Sequence, residues 1–373
     1  MTISVRLLDS VPLSGGDGLT NGFALESRGD GRRRALLRCG DALEVYDLDA
    51  LWAGERAPVA AFPVPWPGWT RGEHSVSPDG SFAVFSGQRS VRAVGADGVT
   101  LWVYGHGCWD QEVGHAHSGD EQQICRDFES GSCRVSDDGR LVWAHVVAEG
   151  EYEECWVVLD ARDGAELARV PLDSVTSGSN HLSHPDGVHM GLGIGMGQDG
   201  VLLHWARWDG RTVTSWDLNE TMDRILADVH PEHGGYLTLE HYGYDIRLHA
   251  LDGTVLATGQ PSAADAADAA DAEDAEDTDD AEDADDFEDE DLPCWDYTCG
   301  FVDGDTVIAT TTEYDEDPDL ARHWLLDART LRVRGQVAYP QPVDSLARPL
   351  GDGTWLTYDG KAAVLHRWGI TGE

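Results

Sequence analysis

The sequence predicts an all-β chain, a seven-bladed β-propeller of four-stranded antiparallel blades. Three observations lead there. A tight-turn signal recurs along the whole of the 373 residues, β-rich runs follow it in a fixed order, and no long stretch outside one acidic run has the 3.6-residue period of a helix. The signal reads Asp30-Gly31, Ser77-Pro78-Asp79-Gly80, Ser136-Asp137-Asp138-Gly139 and Ser183-His184-Pro185-Asp186-Gly187. It returns as His230-Pro231-Glu232-His233-Gly234, Asp303-Gly304 and Gly351-Asp352-Gly353. The period is roughly 48 residues, and the two longer gaps hold the acidic run and a histidine-rich insert.

After each turn comes an apolar strand, at 81–85, 140–147, 188–194, 236–240, 306–312 and 354–358. A short link leads to a second strand, at 90–94, 155–159, 201–208, 245–251, 323–326 and 362–368. Another Asp-Gly often closes that strand, at Gly98, Gly164, Gly210 and Gly253, and a third strand follows, as at 99–104 and 166–170. Asp-Gly supplies the positive φ that a tight hairpin needs, so its recurrence between β-branched and aromatic runs is a mechanistic signal. With the strand before each turn, the unit has four strands, the size of a propeller blade. The last unit is one strand short, and the chain opens with a spare one, Ile3-Ser4-Val5-Arg6-Leu7-Leu8. Pairing the two closes the ring and covers an open edge. One domain is therefore expected over 1–373, with 261–293 as an acidic insertion too charged to pack and expected to be disordered.

The units resemble WD-repeat-like and quinoprotein-like propellers. Leu159-Asp160-Ala161-Arg162-Asp163-Gly164-Ala165-Glu166-Leu167 is similar to their strand-turn-strand signature, and Val45-Tyr46-Asp47-Leu48 and Leu326-Asp327-Ala328-Arg329 echo it. The resemblance implies an architecture, not an activity. Of the strict WD-repeat pattern, only Trp216-Asp217 stands late in a unit.

Composition narrows the function classes. The formal net charge is −43, and 12 Asp with 5 Glu stand between Ser262 and Asp291 without a Lys or Arg. Such a surface repels phosphate backbones, so neither nucleic acid nor an anionic membrane is an expected partner. No apolar run is long enough to span a bilayer, and the start lacks a charged region followed by an apolar one, so a cytoplasmic, monomeric protein is expected. Seven cysteines at irregular spacing, with no C-x-x-C pair, suit mostly buried thiols in a reducing compartment.

In an up-and-down blade the links from fourth to first strand and from second to third emerge at one end. The histidine-rich insert (105–127), the acidic run and the acidic links at 148–154 and 313–317 all fall there. Loops on a rigid scaffold are where function concentrates. In the insert, His106, Asp110, His115 and His117 are candidate ligands for a divalent metal, because His-x-His on an extended segment points both rings to one side. The competing reading is a polar surface loop, which leaves no cofactor at all. Tryptophans recur where these links enter a first strand: Trp66 and Trp69, then Cys108-Trp109-Asp110, then Cys294-Trp295-Asp296-Tyr297. Trp69, Trp109, Trp295 and Tyr297 are candidate binding residues, as aromatics that stack a ligand or anchor a partner. Packing between blades is the alternative. Gly191-Leu192-Gly193-Ile194-Gly195 has no helix after it, which argues against a dinucleotide site, and no nucleophile elbow is present.

The reading that follows is a non-catalytic scaffold binding protein partners, basic ones favoured by the charge. A metal-assisted hydrolase or lyase using the insert's histidines and Asp110 is the second reading, and a small-molecule binder the third.

Overall fold

The computed structural model describes residues 1–12, 24–27, 31–110, 124–125, 129–149, 153–218, 223–232, 234–261, 294–312, 322–343, 346–359, 361–362 and 364–371. The acidic insertion expected at 261–293 lies outside these, Pro261 apart. The chain packs as two compact units, Gly15–Leu226 and Met1–Ser14 with Ala227–Glu373.

Strand β1 (Thr2–Pro12) opens the chain. Four antiparallel meanders then follow in strict order. They are β2 (Ala24–Ser27), β3 (Arg33–Cys39), β4 (Ala42–Asp47) and β5 (Ala60–Pro63); and β6 (His74–Val76), β7 (Phe82–Ser86), β8 (Ser90–Gly95) and β9 (Thr100–Gly105). Next come β10 (Cys133–Val135), β11 (Leu141–Val147), β12 (Glu154–Asp160) and β13 (Glu166–Leu172); and β14 (Gly178–Ser183), β15 (His189–Gly195), β16 (Val201–Trp208) and β17 (Val213–Asp217). A fifth meander is β18 (Arg224–Val229), β19 (Tyr236–Glu240), β20 (Ile246–His249) and β21 (Val255–Gly259). Two further sets are β22 (Cys294–Asp303), β23 (Thr306–Thr312), β24 (Arg322–Asp327) and β25 (Val333–Ala338), then β26 (Arg348–Pro349), β27 (Thr354–Asp359) and β28 (Val364–Ile370). Strand β1 joins these two sets into one eight-stranded sheet. It lies antiparallel to β28, from Val5 opposite Ile370 to Pro12 opposite Val364, and its first residues run parallel to β25. The strand missing from the last repeat is thus the one that opens the chain. Among the described residues the sole α-helix is Leu48–Trp52, started by Asp47, whose carboxylate accepts from the Ala50 N–H at 2.9 Å. No helix there is long and apolar enough to cross a membrane.

The recurring turns all fall between the first and second strands of their sets. At Ser77 and Ser136 in the Gly15–Leu226 unit their chemistry repeats atom for atom. Ser77 Oγ donates to Asp79 Oδ1 at 2.8 Å while Oδ1 accepts from Ser81 N. Ser136 and Asp138 do the same at 2.7 Å, with the Arg140 N–H. The glycine closing each turn is left-handed, φ 72° at both Gly80 and Gly139. Two repeats depart from this. At His230 the ring accepts from the Glu232 N–H, the turn lengthens, and Gly235 rather than Gly234 takes the positive φ. Gly304 also lacks a positive φ. An added Cβ at Gly80 meets nothing within 4 Å, so only backbone strain opposes it. Gly80→Ala is therefore expected to cost about 1–2 kcal/mol in urea unfolding.

The middle strands are buried on both faces, which explains their unbroken apolar runs. All seven residues of β11 are buried, whereas outer strand β13 alternates. Val84, Val91 and Ala93 pack against Val135, Val142, Ala144 and Val157 of the next sheet. That sheet's other face sets Trp143, Trp156 and Val158 on Met190, Leu192 and Ala206. Each valine, leucine or methionine among them contributes about 1.5–3 kcal/mol when fully buried. Between sheets the first strands are joined by polar groups instead. Arg134 reaches Glu26 at 3.1 Å and Ser183 at 3.2 Å, and Ser75 donates to Glu26 at 2.8 Å. Pairing is what makes a buried charge tolerable here. The cysteines are free thiols, with Cys133, Cys155 and Cys299 buried and the other four half-buried.

Candidate functional site

Each unit carries one feature on the links that follow its second and fourth strands. In the Gly15–Leu226 unit a cleft of about 770 Å³ is lined by Trp66 and Trp69, Gln88 and Arg89, the 105–108 segment, Ile124 and Glu149. The backbone explains how these links come together. The His106 N–H donates to the Arg89 carbonyl at 2.9 Å, Gly107 N to Val147 O at 2.8 Å, and Trp109 N to Gln88 O at 3.2 Å. The Gln88 side chain accepts from Cys125 N at 3.0 Å. The first four residues of the link after β9 are thereby stitched to their own sheet and to the next.

His106 is buried, and its Nδ1 lies 2.6 Å from the Gly107 carbonyl. A carbonyl only accepts, so Nδ1 carries the proton and Nε2 presents a lone pair. That Nε2 is buried without a hydrogen-bond partner. Burial pushes the ring's pKa down to about 4, so it is neutral at pH 7. A neutral ring in this tautomer can accept one hydrogen bond at Nε2.

The four predicted metal ligands are not brought together among the described residues. His115 and His117 lie outside those residues. His106 and Asp110 belong to no set of three closely spaced His, Cys, Asp or Glu side chains there; the set that meets that spacing is His184, Asp186 and His189. In the sequence, His184 and Asp186 stand in a turn signal and His189 in the apolar strand that follows it.

The aromatic candidates divide by exposure. Trp69, Trp109 and Trp295 are 2, 1 and 2% exposed, so their rings are packed inside, with Trp69 also lining the cleft. The Trp69 indole donates to the Ser86 carbonyl at 3.1 Å. Trp109 stands edge-on to His145, with ring centroids 5.2 Å apart. Of the four, Tyr297 alone faces solvent, at 56%.

Tyr297 has company that the sequence did not reveal. In the other unit, the link between β19 and β20 carries His241, Tyr242 and Tyr244 to the start of β22. His241 lies 5.2 Å from the Tyr242 ring and 5.7 Å from the Tyr297 ring, and Tyr242 lies 6.2 Å from Tyr244. Tyr242 and Tyr244 are 65% and 46% exposed. Gly243 makes the juxtaposition, since its φ is +80° and its carbonyl accepts from the Trp295 N–H at 2.9 Å. A Cβ there would strike the Trp295 carbonyl oxygen. Beneath the rings, Glu240 accepts from the Tyr242 N–H at 2.8 Å.

No family model matches the chain, and no curated protein does. Among solved structures, it is similar to the β-propeller domain of Cps50 (Swd1) from Myceliophteria thermophila. That match has a TM-score of 0.55 at 11% identity, covering 98% of this chain and 100% of that one. BamB from Moraxella catarrhalis gives a TM-score of 0.45 at 10% identity, over 99% and 98% of the two chains. The chain has a β-propeller fold, as its repeat predicted.

Proposed function

We propose that this chain is a non-catalytic propeller scaffold that docks a protein partner through the Tyr242, Tyr244 and Tyr297 cluster. The partner presents a basic, arginine-rich segment. The three exposed rings, Tyr242 and Tyr297 beside His241 and Tyr244 beside Tyr242, carry this reading, because tyrosine is over-represented among binding hot spots. Charge supports it as well: the chain's net charge is −43, and the run 262–291 ends just before Cys294. Acidic charge draws a cationic segment in, and guanidinium groups stack on tyrosine faces. The scaffold acts as a cytoplasmic monomer, one seven-bladed domain with its ring closed by β1.

The test is a titration of a labelled nona-arginine peptide, followed by anisotropy across a range of salt. Tyr242→Ala with Tyr297→Ala is expected to weaken binding about tenfold or more. Replacing 262–291 with a short Gly-Ser link is expected to weaken it only at low salt. Affinity unchanged in the tyrosine variant would reduce the interaction to bulk charge and overturn the reading.

A second reading rests on the cleft and the Nε2 of His106: binding of a small molecule that donates an O–H or N–H. Gly105 lines the cleft, and a Cβ on it meets nothing within 4 Å. Gly105→Phe is expected to fill the cleft with little effect on stability. In a thermal-shift panel of tyramine, phenethylamine, maltose and donor-free anisole, a stabilising hit must carry a donor and disappear in that variant. The absence of any such hit removes the reading.

A further inference from the structure

We propose that His184, Asp186 and His189 bind a divalent transition-metal ion of the zinc type. The three stand on the turn from β14 to β15, at the end of the sheet opposite the cleft's links. Their ligand atoms all lie within 4.8 Å of one another. Asp186 Oδ2 is 3.0 Å from His184 Nδ1 and 2.7 Å from His189 Nδ1.

The turn itself requires neither imidazole. In the two sister turns the first position is Ser77 or Ser136, whose hydroxyl donates to the turn carboxylate. Five residues on stands Phe82 or Leu141, whose N–H donates back to that hydroxyl at 3.1 and 3.0 Å. The third turn places histidine at both positions. Its backbone work is done by the other carboxylate oxygen, since Asp186 Oδ1 accepts from Val188 N and His189 N at 3.0 Å each. Oδ2 is left to face two rings.

The rings are held as ligands are held. The His189 ring stacks on Trp205 at 5.9 Å and 15°, and on Trp216 at 6.4 Å and 23°. His184 is fully buried, while the Asp186 side chain is 24% exposed, which opens the cluster to solvent on the carboxylate side. His184 Nδ1 stands between the turn's main chain and its carboxylate, 3.3 Å from the Asp186 nitrogen and 3.0 Å from Oδ2. Zinc bonds to nitrogen and oxygen are about 2.0–2.2 Å long, which sets tetrahedral ligand atoms about 3.4 Å apart, so Oδ2 has to part from the two nitrogens by roughly 0.4 to 0.7 Å. Two histidines and one carboxylate suit borderline ions such as zinc, cobalt or nickel rather than calcium, and leave a coordination position for water.

The experiment uses the full chain without a histidine tag, stripped with chelator and titrated with cobalt and then zinc. The readouts are the visible absorption of bound cobalt, tryptophan fluorescence and bound metal per chain by mass spectrometry. The comparison variant is His184→Ser with His189→Leu, the residues the sister turns use, so the fold is expected to survive. If that pair fails to fold, His184→Ser alone serves. A second control, His115→Ala with His117→Ala, removes the insert's His-x-His. The expected result is one equivalent bound at micromolar concentration or tighter, unchanged in the insert control and weakened at least a hundredfold in the sister-turn variant. No binding at 100 micromolar metal, equal binding by the sister-turn variant, or loss confined to the insert control overturns the proposal.

Discussion

Deleting Thr2–Pro12 is expected to lower the melting temperature by roughly ten degrees or more and to promote aggregation. Strand β1 pairs on both sides, to β28 over most of its length and to β25 at its start. Its Val5 and Val11 are 6% and 1% exposed, and each buried valine contributes about 1.5–3 kcal/mol. Val5 also packs in the cluster of Val302, Ile308, Leu325, Trp355 and Trp368. Removing the strand frees the hydrogen-bonding edge of β28, and a free apolar edge recruits other chains. Scanning calorimetry with light scattering reads both effects. A melting curve that does not move would show that the strand pairs without supporting the unit.

Trp109→Ala is expected to destabilise the fold by about 3–5 kcal/mol in urea unfolding, the range for truncating a buried aromatic. The indole is 1% exposed, packed edge-on to His145 and near His106 at 6.1 Å. Its own main chain ties the insert to Gln88. Loss of the ring therefore leaves a cavity beside two buried imidazoles and loosens the cleft wall. Nona-arginine binding at the tyrosine cluster is expected to be unchanged at temperatures where the variant stays folded. A loss of stability below about 1 kcal/mol would mean that the site collapses around the missing ring.

The strand order was legible because the turns have a chemical requirement that residue types reveal. Asp at one position and a left-handed glycine after it leave few alternatives, and Gly98, Gly164, Gly210 and Gly253 all take positive φ. The spare first strand was legible by counting. At His230 the turn shifted by one residue, whereas at His184 it did not, and spacing alone could not show the difference. Side-chain direction was harder still. Topology places Trp109 and Trp295 in the right links, but whether an indole turns inward depends on the neighbouring sheet, which has no local signature. Tyr242 and Tyr244 were missed because their link is short and uncharged beyond its ends, and only the fold brings it to Tyr297. The His184 cluster did leave a signal: laying the three turns side by side sets His184 against two serines, and His189 against phenylalanine and leucine.

The docking surface is tested most directly by placing a photo-crosslinking phenylalanine analogue at position 297. A matched control carries it at Val99, which is 55% exposed on a turn between third and fourth strands. Both proteins are irradiated in extract of the source cells, and the crosslinked peptides are sequenced. The expected result is a partner peptide rich in Arg and Lys, attached at 297, absent at 99 and lost as salt rises. Crosslinks common to both positions, peptides without basic character, or no adduct at 297 would contradict a tyrosine-lined site for a basic segment.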